Sequence, residues 1–311
     1  MLYMTTVDNQ CDYTESQVLT ADFATDGGLY IPSSLPLIDT QQLNEFISSG
    51  CCSTIGKILN AFFAAGLSEW DVQVCIGRSP IRAAAFGHKL LIADAWQNPG
   101  NSYEYALCCL NDRLAGAVNT PVSGWVRIAV EIAFLFGIYA ELRRCEMLEP
   151  RHTYDVCVPE GDLSHLIAAL YARKMGLPIG NIIVCSNNNS ALWDFVNHGQ
   201  LNISCIPQNN RVPMQRLINV LLDCECVKQY VKACDRGGLY SVEPEQHVIL
   251  SESFFAAVAS DERIRTIIDN VGIPVTQETA MCYAGVQDYR AQTGQGNLTV
   301  MLGYRPPNQN I

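Results

Sequence analysis

TYDVCVPEGDLSHLIAALYARKMGLPIGNIIVCSN, the run from Thr153 to Asn187, decides the fold. Tyr154 to Pro159 is a short β-rich run. Leu163, Leu166, Ile167, Leu170 and Met175 recur at helical spacing, and Gly176 follows the last of them as a stop signal. Asn181 to Cys185 is a continuous apolar run, the pattern of a strand buried on both faces of a parallel sheet. Strand, turn, helix and strand make a βαβ unit. Its first turn, Glu160-Gly161-Asp162, falls at the carboxyl edge of the sheet, where α/β folds place ligands.

Working outward, 311 residues at 49% hydrophobic and 16% charged suffice for one large core or two modest ones. A formal charge of −11 with only five lysines argues against a nucleic-acid or anionic-membrane surface. The first residues are polar and acidic with no apolar core of a signal peptide, and the expected compartment is the cytoplasm. The 14 cysteines fall mostly in apolar runs and read as small buried thiols. Cys224, Cys226, Cys234 and His247 have no metal-ligand spacing, so no metal is expected. Trp125 to Arg144 is long enough to span a membrane, but Arg127, Glu131 and the charges from Glu141 to Arg144 make it a buried core helix.

Upstream, Asp26-Gly27-Gly28 reads as a turn feeding an extended segment that Pro32 ends. Residues 40 to 70 show helical periodicity through Leu43, Phe46, Ile47, Ile55, Ile58, Leu59, Phe62 and Phe63. Arg78 to His88 reads as a polar connection and Lys89 to Ala93 as a buried strand. Ser251 to Asn270 reads as a helix, Thr276 to Gln292 as another, and Leu298 to Leu302 as a last strand. These expectations divide the chain into a mainly helical region, 1–88, and an α/β core, 89–311.

Several phrases together resemble threonine synthase, a pyridoxal-phosphate (PLP) enzyme of the tryptophan-synthase-β group. Asp26-Gly27-Gly28-Leu29-Tyr30-Ile31-Pro32 matches the family's Asp-Gly-Gly-Leu-Tyr-x-Pro, and Arg173-Lys174-Met175-Gly176-Leu177-Pro178-Ile179 matches its Lys-Lys-Met-Gly-Leu-Pro-Ile. Asn119 to Arg127 resembles the family's Asn-Ser-Ile-Asn-Trp-x-Arg, and Thr279-Ala280 its His-Thr-Ala, with Glu278 in place of the His. The resemblance implies a three-layer α/β sandwich around a mostly parallel sheet, PLP fold type II, with a small helical N-terminal region and one lobe shortened.

The phrases that carry the family's chemistry are different here. Aligning on Pro99 sets Asn98, Asn101 and Ser102 in the cofactor loop and Glu104 at the Schiff-base lysine. Only an amine condenses with the cofactor aldehyde, so a carboxylate cannot replace it. No lysine lies between Lys89 and Lys174. The family's phosphate loop, Val-Pro-Thr-Gly-Asn-Phe-Gly, is Val158-Pro159-Glu160-Gly161-Asp162-Leu163-Ser164 here. A helix N-terminus attracts anions through its free N–H groups, but Glu160 repels them and Asp162 would occupy those donors as an N-cap. His165, in the first turn, reads as a surface residue. The lobe with the family's Ser/Thr-Gly-rich loop is reduced to Ala115 to Val118, and Gly303-Tyr304 stand where small hydroxyl residues approach the pyridine nitrogen.

Packing phrases that persist while chemical phrases fail imply a threonine synthase-like pseudoenzyme that still folds. No cofactor is expected, PLP entering by family resemblance alone. A homo-oligomer or partner protein over the surface left by the shortened lobe follows, since large exposed apolar patches usually meet a partner. Two alternatives remain open: an active PLP-dependent threonine synthase or lyase converting O-phosphohomoserine to threonine, and a small-molecule sensor using the remnant cleft.

Overall fold

The run 153–187 folds as its pattern predicts, into a strand over Tyr154–Pro159 (β5 in chain order), a helix over Leu163–Lys174 and a strand over Ile179–Ser186. The computed structural model describes residues 1–10, 12–77, 82–94, 103–161, 163–187, 190–272 and 275–302. In chain order the elements are β1 (Tyr3–Thr5), α1 (Glu15–Thr20), β2 (Tyr30–Pro32), α2 (Thr40–Ser49), α3 (Cys51–Phe62), α4 (Glu69–Ile76), β3 (Arg82–Gly87), β4 (Leu90–Asp94), α5 (Tyr103–Ala115) and α6 (Gly124–Arg144). Then come β5, α7 (Leu163–Lys174), β6 (Ile179–Ser186), α8 (Ala191–His198), β7 (Gln200–Asn202), α9 (Gln208–Leu221), α10 (Cys224–Arg236) and β8 (Leu239–Ser241). The chain closes with α11 (Pro244–Ser253), β9 (Phe255–Val258), α12 (Asp261–Asn270), α13 (Gln277–Thr293) and β10 (Thr299–Leu302).

Two compact units form from interleaved segments. One takes Met1–Ala83, Ala93–His152 and Ala168–Pro178, the other Ala84–Ile92, Thr153–Ile167 and Ile179–Ile311. A single cut after residue 88 therefore does not describe how the chain is shared between them.

The first unit is mainly helical. Asp39 and Ser68 start α2 and α4 as capping boxes with Gln42 and Asp71. Ser123 caps α6 through Val126 N–H, and Trp125 to Leu142 are then buried on almost every side. Helix α6 is thus a core helix packed by α2 and α3. Among the described residues no helix is long and apolar enough to cross a membrane. Trp125 is fully buried, with ring centroids of Phe62 and Tyr171 at 5.5 and 5.4 Å in edge geometry. The Asp26 turn closes the β1–β2 pair: Asp26 Oδ1 accepts from Gly28 N–H at 2.9 Å and Oδ2 from the Thr5 hydroxyl at 2.6 Å. A Cβ on Gly28 would lie 2.7 Å from Thr5 Cβ, so only glycine lets the turn approach β1.

The second unit holds a six-stranded sheet of order β3-β4-β10-β5-β6-β9. β10, β5, β6 and β9 are mutually parallel, with Val156 opposite Ile182 and Val184 opposite Ala256. Every residue of β5 is buried, as a central parallel strand requires. Helix α13 lies across these parallel strands. Its Gly285 permits the contact, since a Cβ there would meet Cys185 Cβ at 2.7 Å. Arg290 Nη1 and Nη2 donate to the carbonyls of His88 and Lys89, fixing the β3–β4 turn to the end of α13.

Three local expectations change. Arg82–Gly87, expected as part of a connection, is β3, neighbour to β4 across a two-residue turn. Its alanines have weak strand propensity, and pairing overrides it. Lys89 does not open β4 but sits in that turn at φ 52° with an exposed side chain. The expected helix from Ser251 is interrupted: α11 stops at Ser253, β9 pairs with β6, and Ser260 caps α12. Phe254 to Ala259 is apolar without decisive periodicity, and an open sheet edge claims it.

Candidate functional site

The parallel sheet of the second unit brings the ends of β5, β6, β9 and β10 to one edge. Residues just past those ends are the ones the topology offers to a ligand. After β5 the chain turns at Glu160 and Gly161, and α7 begins at Leu163. Glu160 N–H donates to the Cys185 carbonyl at 3.0 Å, extending the β5–β6 ladder into the turn. The backbone donor that could meet an anion at this position is therefore spent.

The Glu160 side chain is also committed. Its Oε2 accepts from the Ser190 hydroxyl at 2.6 Å. Ser190 Oγ in turn accepts from Ser186 Oγ at 2.9 Å and from Trp193 N–H at 2.9 Å, the second bond capping α8. Ser186 and Ser190 are buried. A chain of hydroxyls thus runs from the end of β6 to the carboxylate, fixing its position at the start of α8. There the helix dipole favours a negative charge. The protein supplies its own anion at this edge.

Other residues expected at the site are distributed as follows. Gly161 is exposed in the turn. Asp162, Gly303 and Tyr304 lie outside the described residues, as do Asn98, Asn101 and Ser102. Glu104 is the second residue of α5 in the first unit, and the placement of its side chain is outside the described set. His165 is buried at 6% exposure, not at the surface, because the first turn of α7 is buried from Leu163 to Ile167. Among the described residues no group of His, Cys, Asp or Glu is arranged to hold a metal.

A second feature lies at the C-terminal end of α5, where the resemblance places a whole lobe. Asp112 accepts from Asn119 N–H at 3.0 Å and from Thr120 N–H at 2.9 Å through its two carboxylate oxygens. Asn111 Nδ2 donates to the Thr120 carbonyl at 2.8 Å, and Asn119 takes φ 57°. The short link from α5 to α6 is a closed, hydrogen-bonded turn. Sequence reasoning missed Asp112, Asn111, Ser186 and Ser190. Ser190 was legible as a helix cap, but its bond to Glu160 joins positions 30 residues apart.

Of the residues that the resemblance sets at the cofactor, Glu104 and Glu160 do not suit PLP. The group aligned with the Schiff-base amine is a carboxylate, Glu104, and the turn aligned with the phosphate holds the tethered Glu160 carboxylate. The lysines nearest in sequence are Lys89, in the β3–β4 turn, and Lys174, which closes α7 at the end away from the Glu160 turn.

Comparison with known proteins agrees with this architecture. Residues 2–79 match the family model described as threonine synthase N terminus. Over 79 residues the chain is 35% identical to mouse "Threonine synthase-like 1", a match covering 25% of this chain and 11% of that protein. It is 26% identical over 149 residues to the threonine synthase of Pseudomonas aeruginosa, covering 45% of this chain and 31% of the relative. The curated relatives are thus matched over less than a third of their length. A crystal structure of PLP-bound threonine synthase from Brucella melitensis superposes with a TM-score of 0.80 at 15% identity, covering 99% of this chain and 89% of that one. The fold is that of the threonine synthases, an α/β sandwich of the tryptophan-synthase-β type with a small helical N-terminal region.

Proposed function

We propose that this threonine-synthase-like chain has given up PLP catalysis and acts as an interaction or regulatory protein on the retained fold. The observation that carries the reading is Glu160, whose carboxylate is bonded to Ser190 in the turn aligned with the family's phosphate loop. A phosphate brought to that turn would face a fixed negative charge. Two unit charges about 5 Å apart repel by roughly 3 kcal/mol at an effective dielectric of 20. Glu104 supports the same reading, since no amine stands at the position aligned with the Schiff-base lysine.

The partner surface we favour is on the first unit. Val118, in the closed α5–α6 turn, is 81% exposed, and Trp70 on α4 is 64% exposed with Val74 one turn on. Large apolar groups left in water near a shortened connection fit contact with a second protein, and self-association is the simplest case. Light scattering after size exclusion tests this: a concentration-dependent oligomer that Trp70→Glu weakens is expected, and a strict monomer at micromolar concentration would remove the self-association reading.

Loss of catalysis is tested by absorbance with added PLP, followed by borohydride reduction and intact mass. The expected spectrum is the sum of protein and free cofactor, with no adduct. A shifted band and a reduced adduct on one lysine would overturn the proposal and restore the enzyme reading.

A further inference from the structure

Helices α4 and α5 pack together in the first unit. Asp71 and Cys75 stand one turn apart on α4, as do Cys109 and Arg113 on α5. Arg113 Nη1 reaches Asp71 Oδ1 at 2.7 Å. One turn along both helices, Cys75 has Cys109 beside it on the facing helix. The two matched pairs, 71 with 113 and 75 with 109, make α4 and α5 antiparallel neighbours and set the thiols on facing rows. Packed helix axes lie about 8–10 Å apart and Cα atoms about 2.3 Å from each axis. Facing residues therefore come within the ~7 Å that a disulfide can span.

Access to the two sulfurs differs. Cys75 is fully buried and Cys109 half-buried, beside the exposed Cys108. We infer that Cys75 and Cys109 form an oxidation site for hydroperoxides, closing to a disulfide that ties α4 to α5. Cys109, the sulfur reachable from solvent, attacks the peroxide oxygen. For hydrogen peroxide the O–O bond breaks, water leaves and Cys109 becomes a sulfenic acid. Cys75 then attacks that sulfur, the S–O bond breaks and a second water leaves. The balance is two thiols and one hydrogen peroxide giving one disulfide and two waters.

Burial holds the Cys75 thiol well above its usual range, while Arg113 draws it down. Access assigns the first step to Cys109 and the resolving step to Cys75, which faces it across the helix pair. The second unit holds a contrasting pair. Cys157 Sγ donates to the Cys282 carbonyl at 3.4 Å, but both cysteines are fully buried and no oxidant reaches them. The inference is independent of the proposed function, for it concerns neither Glu160 nor Glu104.

The test treats the reduced full-length protein with hydrogen peroxide at about one equivalent, blocks remaining thiols under denaturing conditions and maps peptides by mass. The expected product is a cross-linked peptide pair containing Cys75 and Cys109, reversed by dithiothreitol, with Cys157 and Cys282 still free. Cys109→Ser, at a half-buried site, abolishes the cross-link, and Cys108→Ser leaves it. Oxidation should also raise the Tm of the wild-type protein by several degrees, because the bridge constrains the unfolded chain. Cys109 carried on to sulfinic acid without a cross-link, a bridge through Cys108, or both thiols still blocked in full would overturn the inference. The wild-type map decides the matter even if a variant fails to fold.

Discussion

Asp26 and Glu160 each stand in a turn, and their carboxylates act in opposite ways. In the first unit Asp26 bonds to Gly28, two residues on, and to Thr5 on the adjoining strand, within a phrase that closely resembles one of the threonine synthases. In the second unit Glu160 stands in a turn whose phrase departs from the family, and its partner Ser190 belongs to another helix. The first carboxylate builds the chain's own geometry. The second is tied to another element at the sheet edge where α/β folds place ligands, and in our proposal it keeps an anion out. A carboxylate in a turn is thus architectural or obstructive according to what surrounds it, and residue type alone does not say which.

The contrast can be broken or sharpened by substitution. The largest effect is expected from Gly28→Val, which drives a branched side chain into Thr5 and Val7 and should cost about 3 kcal/mol in urea unfolding. If Gly28→Val were neutral, the close approach of turn and strand would not matter to stability. Asp26→Ala removes both anchoring bonds and should cost about 2 kcal/mol, measured as a lower midpoint at unchanged slope. Ser190→Ala removes the cap of α8 together with the hydroxyl that holds Glu160, and about 1–2 kcal/mol should be lost. The smallest effect is expected from Glu160→Gln, within about 0.5 kcal/mol, because the amide oxygen still accepts from Ser190. Were Glu160→Gln as costly as Asp26→Ala, Glu160 would be architectural too, and the two turns would be of one kind.

The same distinction explains what was legible before the fold was known. The βαβ unit was readable because its signals are local: β5 and β6 are continuous apolar runs, and α7 repeats apolar residues at helical spacing. Ser251 to Asn270 misled because Phe254 to Ala259 is equally apolar in either conformation, and an edge of β6 settled it. His165 was misplaced for a similar reason, since a single polar residue in a first turn carries no sign of what will cover it. At the site, Glu160 was visible as a departure, while Ser186 and Ser190 were not visible as its partners. Asp112 and Asn111 gave no signal at all, yet they turn a shortened connection into a closed one.

From the sequence alone came the parallel α/β core, the buried helix over Trp125 to Arg144 and the absence of an amine at position 104, because periodicity and residue type are properties of neighbours along the chain. Only the tertiary structure decided that β9 joins the sheet, that Glu160 is tethered through Ser190, and that Cys75 meets Cys109 beside the Asp71–Arg113 ion pair. Each of those joins residues 25 or more positions apart, and such contacts form only when packing has already brought their elements together.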